Sequence, residues 1–338
     1  MAKQRVTLKF LAEQTGFDLS TISRVLRDDT TLSIRPENVE RIKSAAREFK
    51  YAPDTAARGL RASRSYSIGV ILPSLQNQIH AQIVEGASRA SREKGYSLII
   101  VHADDSVPQG ALVDELIARN RIDGLMSLTY RDDLRQAVAG TDIPIMAVNW
   151  RAEAFDNWVT LYEAPGARLA TQHLIDLGHR QIGHLAGALT RFNAIERFAG
   201  YRQALEGAGI AFDETLVEPS GYGYEDGAKA IDALMDRAAG RVTAIFALSM
   251  LTAAGAMHGL RQRGIDVPGE ISVIGFNDGA LAEVISPSLS TVSYSLSELG
   301  AVSALGMIDL IEGRSASFQQ VVGSPRLKAR ASTAVLRS

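Results

Sequence analysis

Thr21-Ile22-Ser23-Arg24-Val25-Leu26 decides how the front of this chain folds, read together with Val6-Thr7-Leu8-Lys9, Leu11-Ala12-Glu13 and Gly16-Phe17 before it. The pattern predicts two short helices joined by a tight turn. Thr7 is placed as the first N-cap, its hydroxyl accepting from an otherwise unpaired amide. Leu8, Leu11, Ala12 and Thr15 recur at helical spacing, and Gly16 stands where a helix end favours a residue without Cβ. In the second helix Ile22, Val25 and Leu26 make the inward stripe. Ser20, Ser23, Arg24 and Arg27 make the opposite face, with small polar groups, cationic forks and no acid. That is the surface of a helix that lies in the major groove of double-stranded DNA.

A third amphipathic helix is expected next, with Pro36 near its start and Val39, Ile42, Ala46 and Phe49 as its buried stripe. Tyr51-Ala52-Pro53-Asp54-Thr55-Ala56-Ala57-Arg58-Gly59-Leu60-Arg61 follows. This order of parts resembles the N-terminal headpiece of the LacI/GalR (lactose-repressor-like) transcriptional regulators. The resemblance implies that the last segment is a hinge helix that orders on DNA. Ala57 would lie in its contacting stretch, and Leu60 would be the side chain wedged into the minor groove. It also puts Leu19 and Ser20 at the positions that select bases. Arg24 is a candidate for bidentate reading of guanine. Thr7, Thr21, Ser23 and Tyr51 are assigned to phosphates, which fix register and read no sequence. Asp54 replaces the asparagine usual at the start of the hinge, a mild cost beside phosphate.

The net charge of −2 argues by itself against a nucleic-acid partner. Its distribution points the other way: residues 1–65 carry a net +5 and the remainder a net −7. A basic front end on an acidic body keeps phosphate attraction local. The absence of cysteine excludes a disulfide framework, a thiol nucleophile and a cysteine-based zinc site. The N-terminus has no apolar signal core, and no run approaches the ~18 apolar residues of a membrane helix. The expectation is a cytoplasmic protein with no membrane partner.

Beyond the polar linker Arg61–Ser67, apolar β-rich runs (68–72, 97–101, 124–128, 143–148, 182–186, 244–248, 271–276) alternate with helical patterns (81–94, 110–119, 165–177, 197–208, 225–237, 252–263). Such alternation means parallel sheets covered on both faces, and there are too many strands for one small sheet. The resemblance extends here through Gly166-Ala167-Arg168-Leu169-Ala170, His173-Leu174-Ile175-Asp176-Leu177-Gly178-His179-Arg180 and Arg197-Phe198-Ala199-Gly200-Tyr201. It continues through Val267 to Asp278 and Pro287-Ser288-Leu289-Ser290-Thr291-Val292. The fold expected is α/β: an N-terminal helix-turn-helix headpiece plus two doubly wound parallel-sheet lobes of periplasmic-binding-protein type. The predicted divisions are 1–50 for the headpiece and 51–65 for the hinge helix and linker. The first lobe is 66–160 plus 293–318, and the second is 161–292 plus 319–338.

In open α/β sheets ligands sit beyond the carboxyl ends of the strands. That rule points to Asn77 and His80 after the first strand, Asn149 and Arg151 after the fourth, and Arg197 at a helix start. It also points to Tyr222 in a Gly-rich loop, Ser249, and Asn277. Amides, guanidinium forks and a flat aromatic suit a polyhydroxylated sugar. The family's effector contacts fall on Arg197, Asn277, Asn149 and the aromatic slot at Tyr222. The chain departs from the family pattern at Asn77-Gln78-Ile79-His80 (often Asn-Pro-Phe-Phe), Ser249-Met250 (usually Asn-Asp) and Tyr162-Glu163 (often Asp-Asn). Losing an acidic hydroxyl acceptor weakens the reading of a plain sugar; the alternatives are a sugar bearing an acidic or modified group, taken by Arg197 or Arg151, or another class of effector.

Enzymatic chemistry finds no support. No P-loop, Gly-x-Ser-x-Gly elbow or His-Glu-x-x-His motif is present. Gly221-Tyr222-Gly223 reads as a turn preceded by no convincing strand. His173, His179 and His184 are assigned structural roles, with no metal site and no cofactor expected. Phe10 replaces a common acid and is expected to be exposed or to lie against the hinge. The resulting expectation is a homodimeric, effector-regulated repressor of a palindromic operator, whose effector is carbohydrate-like. The other class the body suits is a solute-binding protein without transcriptional duty, which leaves the headpiece unexplained.

Overall fold

The computed structural model describes residues 6–26, 29, 31–49, 51, 64–75, 77–103, 109–118, 122–129, 134, 136, 141–153, 155–238 and 240–336. The chain divides after Ser65 into two compact units.

The first unit holds α1 (Leu8–Thr15), α2 (Leu19–Val25) and α3 (Pro36–Glu48). Thr7 caps α1 by accepting from the Phe10 amide at 3.2 Å. Gly16 ends that helix in the left-handed region at φ 72°, its N–H closing on Ala12 O. Pro36 opens α3, where its missing N–H costs nothing. Leu11, Ile22, Val25, Ile42 and Ala46 form the core, with Val39 and Phe49 packed at its margin. Arg41 locks α3 to α1 by donating to Thr15 O at 2.9 Å. Phe10 is half-buried, not exposed, and meets Phe49 edge-on at 5.2 Å; its expected contact with the hinge lies outside the described residues.

The second unit contains two six-stranded sheets. The first comprises β1 (Ser67–Leu72), β2 (Ser97–His102), β3 (Gly124–Ser127), β4 (Ile145–Val148), β5 (Trp158–Leu161) and β11 (Gln319–Val322), in the order β11-β5-β4-β3-β1-β2. All its pairings are parallel. The second comprises β6 (Ile182–Ala186), β7 (Val217–Pro219), β8 (Ala244–Ala247), β9 (Ser272–Phe276), β10 (Ser290–Ser293) and β12 (Arg326–Lys328). Its order is β12-β10-β9-β8-β6-β7, with β12 antiparallel. Central strands such as β6, β8 and β9 are buried throughout, which is why they read as unbroken apolar runs.

Helices α4 (Gln78–Glu93), α5 (Gln109–Ala118) and α11 (Leu296–Ile311) belong to the first sheet. Those of the second are α6 (Glu163–Asp176), α7 (Phe192–Gly207), α8 (Tyr224–Ala238), α9 (Met250–Gln262) and α10 (Ala280–Val284). The α4–α11 pair approaches backbone to backbone: a Cβ on Gly86 would collide with Ser297 O, and one on Gly300 with Ile83 O.

The chain passes between lobes after β5, after β10 and between β11 and β12. The Tyr294 hydroxyl ties the first two crossings by donating to Tyr162 O at 2.5 Å. Two expectations are corrected. Residues 319–322, expected in the second lobe, form β11 and pair with β5 in the first sheet (Gln319 opposite Trp158), so the third crossing falls near Gly323. The segment before the Gly221 turn also forms a short strand, β7, on the edge beside β6, where three residues suffice because only one side is paired. Among the described residues no helix is long and apolar enough to cross a membrane.

Candidate functional site

Two regions collect the predicted residues. On the headpiece, Asp18 is the N-cap of α2: Oδ1 accepts from the Ser20 and Thr21 amides at 2.9 Å, and Oδ2 accepts the Thr21 hydroxyl at 2.5 Å. The Thr21 hydroxyl bond, more than any other contact, holds the Asp18 carboxyl below its usual range. Asp18 was missed, although an aspartate directly before a helical pattern is a start signal. With the turn pinned, α2 presents Leu19, 49% exposed, and Ser20, also exposed. Thr7 caps α1, Thr21 lies in the first turn of α2 with its amide and hydroxyl on Asp18, Ser23 is half-buried on α2, and the Tyr51 amide closes on Ala46 O at 2.9 Å. Arg24 bonds to Asp29 and Thr31, two residues no local pattern singled out. Ala57 and Leu60 lie outside the described residues.

In the second unit two of the predicted ligand residues stand at strand ends. Asn149 follows β4 and Asn277 follows β9, the strands third from the same end of each sheet order. Both adopt the left-handed region, at φ 66° and 67°, a conformation asparagine tolerates better than most residues. The Oδ1 atom of each is buried without a hydrogen-bond partner. Buried acceptors are rarely left unpaired, since desolvation without a bond costs about 1–3 kcal/mol.

Arg197, expected at a helix start, lies instead in the second turn of α7, which begins at Phe192; it is 2% exposed and paired with Glu163, 1% exposed, at the start of α6. Nε donates to Glu163 Oε2 at 2.7 Å, Nη1 donates to Leu248 O at 2.6 Å, and the guanidinium lies 4.0 Å from the Phe276 ring centroid. Nη2 is in neither bond. Glu163 Oε1 accepts from Asn193 at 2.8 Å. The acid lost from the family's Asp-Asn position is thus carried by Glu163, whose charge offsets that of Arg197. Sequence spacing gave no hint of this pair, because α6 and α7 bring it together across 34 positions.

The other predicted cleft residues divide. Tyr222 is a half-exposed aromatic at the rim, its loop held by Ser249 Oγ donating to Tyr222 O at 3.0 Å. Ser249 also caps α9 through the Thr252 amide at 3.0 Å, so its hydroxyl serves the scaffold. Asn77 likewise caps α4, accepting from the Ile79 amide at 3.1 Å. His80 bonds Ser74 O through Nδ1 at 2.8 Å, and burial holds its imidazole below its usual value. Arg151 spans the lobes, 5.4 Å from the Trp158 centroid and 4.7 Å from that of Phe192. A separate groove of about 880 Å³ runs along the crossovers past Gln82, Tyr162, Asp278, Glu283, Tyr294 and Arg326, and touches none of the predicted ligand residues.

The histidines are held by protein groups. His173 meets Thr333 at 3.0 Å, and His179 meets Thr243, Ser272 and Ala334 O at 3.0–3.1 Å. His184 bonds Phe246 O through Nδ1 at 2.9 Å within a stack of Phe246, Tyr201 and Phe198. Burial pushes its pKa down to about 4.

Comparison with known proteins decides the family. The HTH-type transcriptional regulator CelR of Thermobifida fusca is 31% identical over 340 residues, covering 98% of this chain and 99% of CelR. The chain belongs to the LacI family of transcriptional regulators. A family profile described as a periplasmic binding protein-like domain matches residues 171–333. Among solved structures of LacI-family regulators, the CelR–cellobiose complex superposes with a TM-score of 0.74 at 30% identity, covering 97% of this chain and 100% of that one. The Lac repressor dimer bound to operator and the anti-inducer ONPF superposes at 0.79 with 26% identity, covering 98% and 100%. The LacI-family relatives are regulators and not enzymes.

Proposed function

We propose that this LacI-family chain is a homodimeric repressor whose headpiece binds a palindromic operator. Its affinity for that operator is switched by a neutral, carbohydrate-like effector in the cleft between the lobes. The observations that carry the effector class are the buried, unpartnered oxygens of Asn149 and Asn277 at strand ends and an Arg197 whose charge Glu163 already balances. Those oxygens call for hydroxyl or amine donors. An anionic effector would add a second negative charge beside Glu163 in a dry site, which the low dielectric makes costly. Tyr222 suits the apolar face of a sugar ring. The cellobiose held by CelR and the operator held by the Lac repressor dimer are ligands of those proteins, and their shared architecture supports the same classes of partner here.

A thermal-shift series of neutral mono- and disaccharides against uronic acids and sugar phosphates tests the effector class. A neutral sugar at 100 times its Kd should stabilise the chain by about 2.7 kcal/mol and change its affinity for an operator selected from a random duplex pool. Stabilisation by anionic sugars alone would overturn the neutral reading. Selection that returns no palindrome would overturn the operator reading.

A further inference from the structure

Arg24 is held within a closed ring of hydrogen bonds. Its Nε–H donates to Asp29 Oδ2 at 2.8 Å, and Nη2 donates to Thr31 Oγ1 at 2.9 Å. The Thr31 hydroxyl in turn donates to Asp29 Oδ1 at 2.6 Å, and the Thr31 amide donates to the same oxygen at 2.9 Å. One hydroxyl thus accepts from the arginine and gives its own hydrogen to the aspartate, so every group has a defined role. The backbone braces the ring: the Asp29 amide bonds Arg24 O at 3.1 Å, and the Leu32 amide bonds Asp29 O at 3.2 Å. These bonds, with Thr31 foremost and Arg24 next, hold the Asp29 carboxyl far below its usual range, so it stays ionised.

The ring uses one edge of the guanidinium. Nε–H and the Nη2 hydrogen beside it form the side edge of a planar fork. The end edge, with one hydrogen from each of Nη1 and Nη2, lies outside these bonds, and its two parallel donors match the O6 and N7 acceptors of guanine. A long, flexible arginine otherwise loses much rotamer freedom when it docks. Here the loss is taken before DNA arrives.

We propose that Asp29 and Thr31 are positioning residues that aim the end of Arg24 at a guanine, so that discrimination at that base pair belongs to the trio. The inference rests on the reading that Arg24 contacts a base. Selection from randomised duplex pools with the full-length chain separates the two claims. Arg24→Ala should abolish a preference at one base pair, a loss of roughly 5- to 150-fold. Asp29→Ala and Thr31→Val should weaken preference at that same base pair and no other, by roughly 3- to 30-fold. Thr31→Ser, which keeps the hydroxyl, should retain it. Adding Asp29→Ala to Arg24→Ala should cost nothing more at that position, the non-additivity of a shared network. Full preference in Asp29→Ala and Thr31→Val, each with a thermal melt matching the parent, would overturn positioning. So would tighter operator binding at unchanged preference in Asp29→Ala, because the ring would then be restraining Arg24 from the groove. If Arg24→Ala leaves every base preference intact, the base-reading role itself falls and the positioning role with it.

Discussion

Glu163 and His184 are buried titratable residues of the second unit. Glu163→Gln keeps the size of the side chain but leaves the Arg197 charge buried without compensation, a change that typically costs about 3–5 kcal/mol. Urea unfolding should show that loss, and the variant should gain affinity for acidic sugars relative to neutral ones. An unchanged selectivity would mean that Glu163 has no part in choosing the effector. His184 predicts a pH dependence. Its imidazole titrates near 6.5 when unfolded and near 4 in the folded chain. Between those values the unfolded state takes up a proton that the folded state refuses, so stability falls as pH drops through that window and levels off below it. From pH 7.5 to pH 5 the contribution is about 2 kcal/mol at 1.36 kcal/mol per unit. Urea midpoints across this range should fall in the parent and fall less in His184→Phe.

Among elements, α2 depends on its start more than its length. It spans 7 residues, too few to be stable by helix propensity alone. Its order comes from the Asp18 cap and from Ile22 and Val25 in the headpiece core. Asp18→Ala should destabilise the helix by about 1 kcal/mol. Amide exchange at Ser20 and Thr21 should accelerate roughly fivefold, and operator affinity should fall with it. Exchange at unchanged rates would show that packing alone holds the helix. The glycine contacts between α4 and α11 illustrate the complementary case: long helices whose spacing is set by backbone approach, a relation that no periodicity within either helix reveals.

At the scale of the molecule, Arg151 links the lobes. Its guanidinium meets Trp158 on the first and Phe192 on the second. An exposed cation–π contact is worth about 0.5–1 kcal/mol. Arg151→Ala should therefore lower the urea midpoint of the unliganded chain by the equivalent of about 0.5–1 kcal/mol per contact, and an unchanged midpoint would show that the bridge adds no stability. A fall in sugar affinity by calorimetry beyond that would assign Arg151 a direct bond to the sugar.

The linear chain determined the helix-turn-helix, the alternation of strands and helices, and the arrival of Asn149 and Asn277 at strand ends. These follow from local periodicity, capping and the rule that parallel strands present ligands at their carboxyl ends. Tertiary structure decided what each polar group does there. It turned Ser249 and Asn77 into caps, put Glu163 against Arg197, closed Asp29 and Thr31 around Arg24, and moved residues 319–322 into the first sheet. Local sequence sets the conformation of a segment. The partner of a buried charge or an edge strand is chosen by desolvation and pairing between segments far apart in the chain, and only the assembled fold brings them within reach.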